Sequence, residues 1–315
     1  MTETNATRHV LSLDGGGAKG FYTIGVLTEL EAMLGAPLSE HFSLIFGTST
    51  GAILAALLSL GYKTGDIFKL YSEHVPKVMR EQTPSGRGQA LRALAKSVFA
   101  DVNFLDVKTN VGIVATRWEF ETPMIFKSSA GQSHGSKKSF APGFGCSVGD
   151  AVTASCSAYP FFDRSIVNTH MGERVELVDG GYCANNPTLY AIADALNALQ
   201  VRRSDLRVLS LGVGNYPRPK RRWNGLVPFI KEFAARRVLD VELLQKTLDI
   251  NTASMDQLRR ILFADIETVR ISETFERPEM ATDLLESDPT KLNLLYQRGR
   301  QSFANFELPL RTLLN

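Results

Sequence analysis

Short apolar runs that end in glycine turns alternate along the first half of the chain with stretches whose apolar residues recur at helical spacing. His9–Leu13 is an apolar strand candidate that stops at the turn Gly15–Gly20. From Phe21 onward, Ile24, Val26, Leu27, Leu30 and Met33 share one broad helical face. Phe42–Phe46 repeats the strand pattern, ends at Gly47-Thr48-Ser49-Thr50-Gly51, and leads into an apolar helix over Ala52–Leu60. Strands that alternate with helices in this way predict a mostly parallel sheet covered on both faces.

The same reading predicts helices over 65–75 and 88–99, with a break at Pro84-Ser85-Gly86 between them. Paired strands follow at Val111–Trp118 and Met124–Phe126, separated by Pro123, and then a flexible Ser/Gly/Lys loop from Lys127 to Gly145. A helix near Val148, a strand at Val175–Val178, a helix over Leu189–Leu199 and a buried strand at Arg207–Leu211 complete this half. After Gly214 the composition shifts: Pro217–Arg222 holds two prolines and four basic residues. Helical patterns at Leu226–Leu239 and Val241–Leu262, a strand at Thr268–Ile271 and helices over Leu292–Phe306 finish the chain. The division this suggests is an α/β core over 8–215 and a mainly helical portion over 216–315 packed on the same domain.

Composition narrows the function classes. With 315 residues, 44% hydrophobic and 22% charged, the chain is long enough for one large core. A formal net charge of +2 argues against a DNA or RNA polymer as partner, because such proteins carry a markedly basic face. Cys146, Cys156 and Cys183 are odd in number and lack metal-ligand spacing, so neither a disulfide framework nor a metal site is expected and a reducing compartment is favoured. The start, MTETNATRHV, lacks the profile of a signal peptide, and the apolar run Gly51–Leu60 is too short to span a bilayer. These features predict a cytoplasmic protein whose membrane contact is peripheral.

Candidate chemistry lies in three turns. Gly47-Thr48-Ser49-Thr50-Gly51 is a G-x-S-x-G between a strand and a helix, the setting of a nucleophile elbow. Gly47 and Gly51 would be glycine because a Cβ there collides with neighbouring backbone. A helix N-cap beside a glycine turn explains the pentapeptide alone about as well. Asp14-Gly15-Gly16-Gly17-Ala18-Lys19-Gly20 is a second strand–helix turn whose amides can converge on an anion, such as the oxyanion of acyl transfer. Its glycines also fit a dinucleotide fingerprint, but the next strand ends without the acid that would hold a ribose. No lysine-Ser/Thr pair is present for a Walker A loop.

A serine nucleophile needs a base. None of His9, His41, His74, His134 and His170 sits at a strand end in a catalytic setting. Asp179 does end an apolar strand, before Gly180 and Gly181, although Asp-Gly-Gly by itself reads better as a plain turn.

Taken in order, Asp-Gly-Gly-Gly-x-Lys-Gly, Gly-x-Ser-x-Gly and a distant Asp-Gly-Gly resemble the patatin-like phospholipase family over residues 8 to 215. The block Ala154–Pro160 is similar to the small-residue block that family carries between elbow and aspartate. Lys19 departs from the arginine many members carry after the glycines. The resemblance implies a three-layer fold and a Ser–Asp dyad without histidine or cofactor. Ser49 would be the nucleophile, Asp179 the base, and the amides of Gly15, Gly16 and Gly17 the oxyanion hole. The implied substrate is a membrane glycerophospholipid, met at the inner membrane.

The opening block LSLDGGGAKGFYTIGVL is most similar to the cyclic-dinucleotide-activated members that attack the cell membrane in bacterial anti-phage defence. That similarity implies a cyclic dinucleotide as activator and admits a homo-oligomer. By charge alone, Arg218, Arg221, Arg222, Arg236 and Arg237 are the candidates for its phosphates. Lys127–Phe140 (with Lys127, Lys137, Lys138 and Phe140) and Pro217–Trp223 are the candidates for anionic headgroups, although a solvated loop is the better reading of either taken singly. An esterase or thioesterase on soluble acyl compounds, and a non-catalytic nucleotide-binding module, stay open as alternatives.

Overall fold

The computed structural model describes residues 7–135, 139–217 and 228–314, with side chains described from residue 242 onward in the last segment. Eight strands form one sheet among these residues: β1 (Arg8–Leu13), β2 (Leu44–Thr48), β3 (Asn110–Arg117), β4 (Thr122–Lys127), β5 (Ser165–Asn168), β6 (Arg174–Asp179), β7 (Leu206–Leu211) and β8 (Glu267–Ile271). Their order is β5-β6-β3-β2-β1-β7-β8, with β4 also on β3. β3, β2, β1, β7 and β8 run parallel, whereas β4, β5 and β6 join antiparallel at one side.

The register around β3 brings two strand ends together. β4 occupies one edge of β3 along Gly112–Arg117. β2 must therefore lie on the other edge, where Leu44–Thr48 pair with Asn110–Val114. β6 shares that second edge, with Leu177–Asp179 opposite Arg117–Ala115. Because β2 is parallel and β6 antiparallel to β3, their C-terminal ends meet at adjacent positions: Thr48 faces Val114 and Asp179 faces Ala115.

Helices cover both faces, as the alternation along the strands requires. Leu11, Leu13, Ile45, Ile113, Leu209 and Leu211 point into one core. Val10, Leu44, Phe46, Val114 and Val208 point into the other. The helices are α1 (Gly20–Leu34), α2 (Leu38–His41), α3 (Thr50–Ser59), α4 (Thr64–Arg80), α5 (Pro84–Phe99), α6 (Val148–Ser155), α7 (Gly181–Ala184), α8 (Thr188–Ala193), α9 (Pro228–Leu262) and α10 (Pro289–Leu314). None among the described residues is long and apolar enough to cross a membrane.

Several boundaries differ from the sequence reading for local reasons. Pro84 does not separate helices; it begins α5, where its missing N–H is tolerated, and Thr83 caps the end by accepting from Gly86 N. Pro123 lies inside β4, opposite Thr116. β5 was not anticipated, being four residues long with every second side chain exposed. The helix after Thr188 widens into a π-helical turn at Asp194–Ala198. The two helices expected beyond residue 226 are one continuous α9, and the C-terminal portion contributes β8 to the sheet. Among its described residues, the loop expected over Lys127–Gly145 contains a buried Gln132 and the short 3-10 turns Ala130–Gln132 and Pro142–Gly145.

α10 lies against α1 through glycines. A Cβ on Gly299 would stand 1.9 Å from the Tyr22 carbonyl oxygen, and one on Gly25 would stand 2.1 Å from that of Tyr296. Gly299→Ala is accordingly expected to lower unfolding free energy by about 1–3 kcal/mol in denaturant melts, overriding a helix-propensity gain of about 1 kcal/mol. Gly65→Ala, at an α4 position with nothing within 4 Å, should be neutral or slightly stabilising. Equal effects at the two sites would contradict the close-packed crossing.

Candidate active site

The head-to-head strand ends set the site. Ser49 follows β2 and turns the chain sharply into α3, at φ 54° and ψ −122°. A non-glycine residue in this region stores on the order of 1–3 kcal/mol of strain. The flanking glycines are required by contact: a Cβ on Gly47 would lie 2.1 Å from the Gly51 oxygen, and one on Gly51 2.2 Å from the Leu13 oxygen. Ser49 occupies the N-cap position of α3, yet its side chain makes no capping bond. Its Oγ instead donates to Asp179 Oδ2 at 2.7 Å, so the N-cap explanation of the serine does not hold.

Ser155, the last residue of α6, seals the junction. Its Oγ donates to the Val114 carbonyl at 2.5 Å and accepts from Ser49 N at 2.8 Å, while its carbonyl accepts from Gly180 N at 3.2 Å. Gly180 has no room for a side chain, because a Cβ would meet the Val114 oxygen at 2.1 Å. On the other side Thr50 is held by Tyr71 of α4, whose hydroxyl donates to the Thr50 carbonyl at 2.8 Å. The elbow is thus braced from both directions.

Asp179 is 2% exposed. Burial raises its carboxyl to about 6, against the opposing effect of hydrogen bonds from Ser49 and from Gly181 N at 2.7 Å. A carboxylate that titrates near neutrality accepts a proton more readily than an exposed aspartate.

The glycine loop faces the same space. Gly15 lies close to Ser49: a Cβ there would stand 3.2 Å from the Ser49 Cβ and 2.4 Å from Asn185 Oδ1. The Gly15 amide, expected to join an oxyanion hole, already donates to the Asn185 carbonyl at 2.9 Å. That removes it as a donor in this conformation. Among the described residues the amides of Gly16 and Gly17 donate to no protein acceptor, and both glycines line the cleft beside Ser49. Gly17 has φ +59° and abuts the Leu284 carbonyl, so a side chain is doubly disfavoured there.

The cleft spans about 640 Å³ with its opening to solvent included, and its walls are mainly apolar, with Ile53, Val75, Met79, Leu91, Leu94 and Phe162 beyond Ser49 and Asp179. A smaller cleft of about 230 Å³ between α3, α4 and α5 shares Ile53, Val75 and Leu94 with it. Cys156 also lines the main cleft, its thiol pushed well up by burial and then by the Asp179 charge. No histidine lines it; His134, for instance, bonds Asp194 at 2.6 Å. No group of three or more metal-ligating side chains occurs among the described residues.

Other candidates fare differently. Lys127, considered for headgroup contact, is tied down by Asp194 Oδ1 at 2.5 Å and the Gln132 carbonyl at 3.0 Å. Lys137, Lys138, Arg218, Arg221, Arg222 and Trp223 lie outside the described residues, as do the side chains of Arg236 and Arg237 in α9. Ser155, Asn185, Asn251 and Thr252 support the site without having been singled out. Ser155 stood in the small-residue block, but nothing local marks Asn251 or Thr252.

Comparison with known proteins adds to this geometry. The family model described as patatin-like phospholipase matches residues 11–192, more than half of the chain. The cUMP-AMP-activated phospholipase of Escherichia coli is 61% identical over 305 residues, covering 97% of this chain and 93% of that protein. The cGAMP-activated phospholipase of Pseudomonas aeruginosa is 28% identical over 218 residues, covering 65% of this chain and 62% of that protein. Among solved structures, VipD from Legionella pneumophila has a TM-score of 0.51 at 13% identity, covering 98% of this chain and 67% of that chain, a likeness of fold alone.

Asp179 also makes a stability prediction. Its folded pKa is about 6, above the value of about 3.9 for a free aspartate, so the native state binds more protons than the unfolded state between those limits. Wild-type stability therefore falls as pH rises from 4 to 6, by an amount on the order of 3 kcal/mol. Asp179→Asn, which carries no charge, should melt higher than wild type at pH 8 and lose that advantage near pH 4. A variant less stable than wild type at pH 8 would contradict the buried-charge account.

Proposed function

The chain belongs to the patatin-like phospholipase family, and on that premise we propose that it hydrolyses glycerophospholipid ester bonds through Ser49 and Asp179 and that a cyclic dinucleotide switches it on. The observation that carries the catalytic part is the 2.7 Å hydrogen bond from a strained Ser49 Oγ to a buried Asp179 carboxylate at the foot of an apolar cleft. Apolar walls on α3, α4 and α5 suit an acyl chain, and the smaller cleft behind them extends the same surface.

In the reaction, Ser49 Oγ attacks the ester carbonyl carbon as its proton passes to Asp179 Oδ2. The amides of Gly16 and Gly17 receive the negative charge that develops on the carbonyl oxygen; loss of one such donor typically costs about 10²–10³ in rate. Collapse of the tetrahedral intermediate releases the lysolipid alcohol, which takes the proton from Asp179. Water then attacks the acyl-enzyme, again giving a proton to Asp179, and the fatty acid leaves with Ser49 restored. Gly181 N holds Oδ1 throughout, so Oδ2 stays directed at the serine.

Support for the activator comes from the two bacterial relatives, each named as a phospholipase activated by a cyclic dinucleotide. The match to the Escherichia coli enzyme runs through nearly the whole of both chains, which favours cUMP-AMP as the first ligand to test. We extend the proposal to membrane attack in anti-phage defence, with the protein peripheral at the inner membrane while active, on the resemblance carried by the opening block LSLDGGGAKGFYTIGVL.

Vesicle hydrolysis tests the reading. With phosphatidylglycerol/phosphatidylethanolamine vesicles and a panel of cyclic dinucleotides, wild type should release fatty acid and one nucleotide should raise the rate at least about tenfold, a coupling of about 1.4 kcal/mol. Ser49→Ala should lose about 10³-fold or more, as removal of a nucleophile does. Indifference to every nucleotide would overturn activation alone; full activity in Ser49→Ala would overturn the mechanism. The base requirement sets a pH profile as well. Asp179 must be ionised, so kcat should fall tenfold per unit as pH drops below about 6. A flat profile between pH 4 and 7 would exclude Asp179 as base.

A further inference from the structure

The glycine loop is fixed at two points, and both fixings lead to one stretch of α9. At the first, Arg270 of β8 grips Asp14 with two nitrogens, at 2.6 and 3.3 Å from its carboxylate oxygens. Arg270 Nε in turn faces Asp256 Oδ1 of α9 at 3.9 Å, and Arg259 and Arg260 hold Asp256 at 3.0 and 2.9 Å. At the second, Asn185 brackets the Gly15 peptide. Its carbonyl accepts from Gly15 N at 2.9 Å, and its Nδ2 reaches the Gly15 oxygen at 3.3 Å.

Asn185 is itself held by α9. Its amide N donates to Asn251 Oδ1 at 2.8 Å, and its Nδ2 donates to Thr252 Oγ1 at 2.7 Å. Asn251 Nδ2 completes the clamp on the Cys183 carbonyl at 3.2 Å. One turn earlier Leu248 lines the cleft, and a Cβ on Gly181 would lie 2.6 Å from it. Asn185 Oδ1 is buried and has no hydrogen-bond partner among the described residues. The side chain's orientation therefore rests on Nδ2 alone, whose shorter bond goes to Thr252.

We propose that Thr252 and Asn251 are positioning residues, which hold Asn185, and through it the Gly15 peptide, so that the amides of Gly16 and Gly17 face the carbonyl oxygen of the ester that Ser49 attacks. The inference rests on the reading of those two amides as oxyanion donors. Neither α9 residue lines the cleft, so neither touches substrate. Removal of the Thr252 hydroxyl leaves Asn185 Nδ2 with only the 3.3 Å contact to Gly15, and frees the side chain to rotate toward a partner for Oδ1. A loop displaced by a fraction of an ångström still admits substrate but meets the oxyanion poorly. The loss then falls on the transition state and not on binding.

A soluble short-chain nitrophenyl ester, assayed with cUMP-AMP present, separates the outcomes. Thr252→Val keeps the shape of the side chain and should lower kcat about 10- to 100-fold, less than outright loss of a donor, with KM unchanged within about twofold. Thr252→Ser restores the hydroxyl and should return kcat to within about threefold of wild type, while both variants melt within a few degrees of it. Asn251→Ala should act in the same direction on kcat. A Thr252→Val kcat within about twofold of wild type, or a Thr252→Ser as impaired as Thr252→Val, would overturn the clamp and leave the Ser49 reading intact. A wild type that cleaves no ester with any cyclic dinucleotide of the panel, or a Ser49→Ala as active as wild type, overturns the Ser49 reading and the clamp together.

Discussion

Everything at this site depends on two strands ending face to face on the same edge of a third. β3 is longer than either neighbour, so β2 can pair with its first half and β6 with its second. The backbone groups left at the gap are taken by Ser155 and Gly180, which leaves no space for any other side chain. Ser49 and Asp179 are 130 positions apart in the chain, yet the ladder places Thr48, the residue before Ser49, and Asp179 on consecutive rungs. A one-residue slip of β6 would turn Asp179 to the opposite face of the sheet.

That geometry gathers costs in one place. Ser49 holds a backbone conformation that disfavours side chains, and Asp179 is shut away from water. Both are tolerated because the surroundings are rigid: Tyr71 and Ser155 brace the elbow, and Gly181 holds the carboxylate. On the proposed mechanism, burial is what makes aspartate usable as the base. The same desolvation that destabilises its charge raises its proton affinity toward neutrality, so no histidine is needed. The glycine loop is tied through Asn185 to α9, so that, on the proposed reading, residues far along the chain set where negative charge is received.

The chain reveals its local features well and its distant ones poorly. Ser49, Gly47 and Gly51 were legible because a strained turn between strand and helix leaves its requirement for glycine in five consecutive residues. Asp179 was legible as a strand end, but the pairing of β6 with β3 was not, since an antiparallel strand in a largely parallel sheet carries no local mark. β5 escaped because a short edge strand with one solvated face has little apolar pattern. Gly15 lies beside Ser49, whereas the engagement of its amide by Asn185, which the sequence does not show, depends on a contact 170 residues away. Asn251 and Thr252 had no signal at all: polar residues on a long helix read as solvent-facing until the fold places α7 against them.

The account turns on Ser49 being activated by Asp179 within an apolar cleft, and covalent labelling addresses that most directly. In a long-chain alkyl fluorophosphonate, attack by a serine Oγ on phosphorus expels fluoride and leaves a stable phosphonate ester, with the serine proton taken up by the base. Peptide mass spectrometry of the wild-type protein should find one adduct, on Ser49, and Asp179→Asn should form it far more slowly at neutral pH. An adduct on any other residue, or labelling of Ser49 at an unchanged rate in Asp179→Asn, would contradict it.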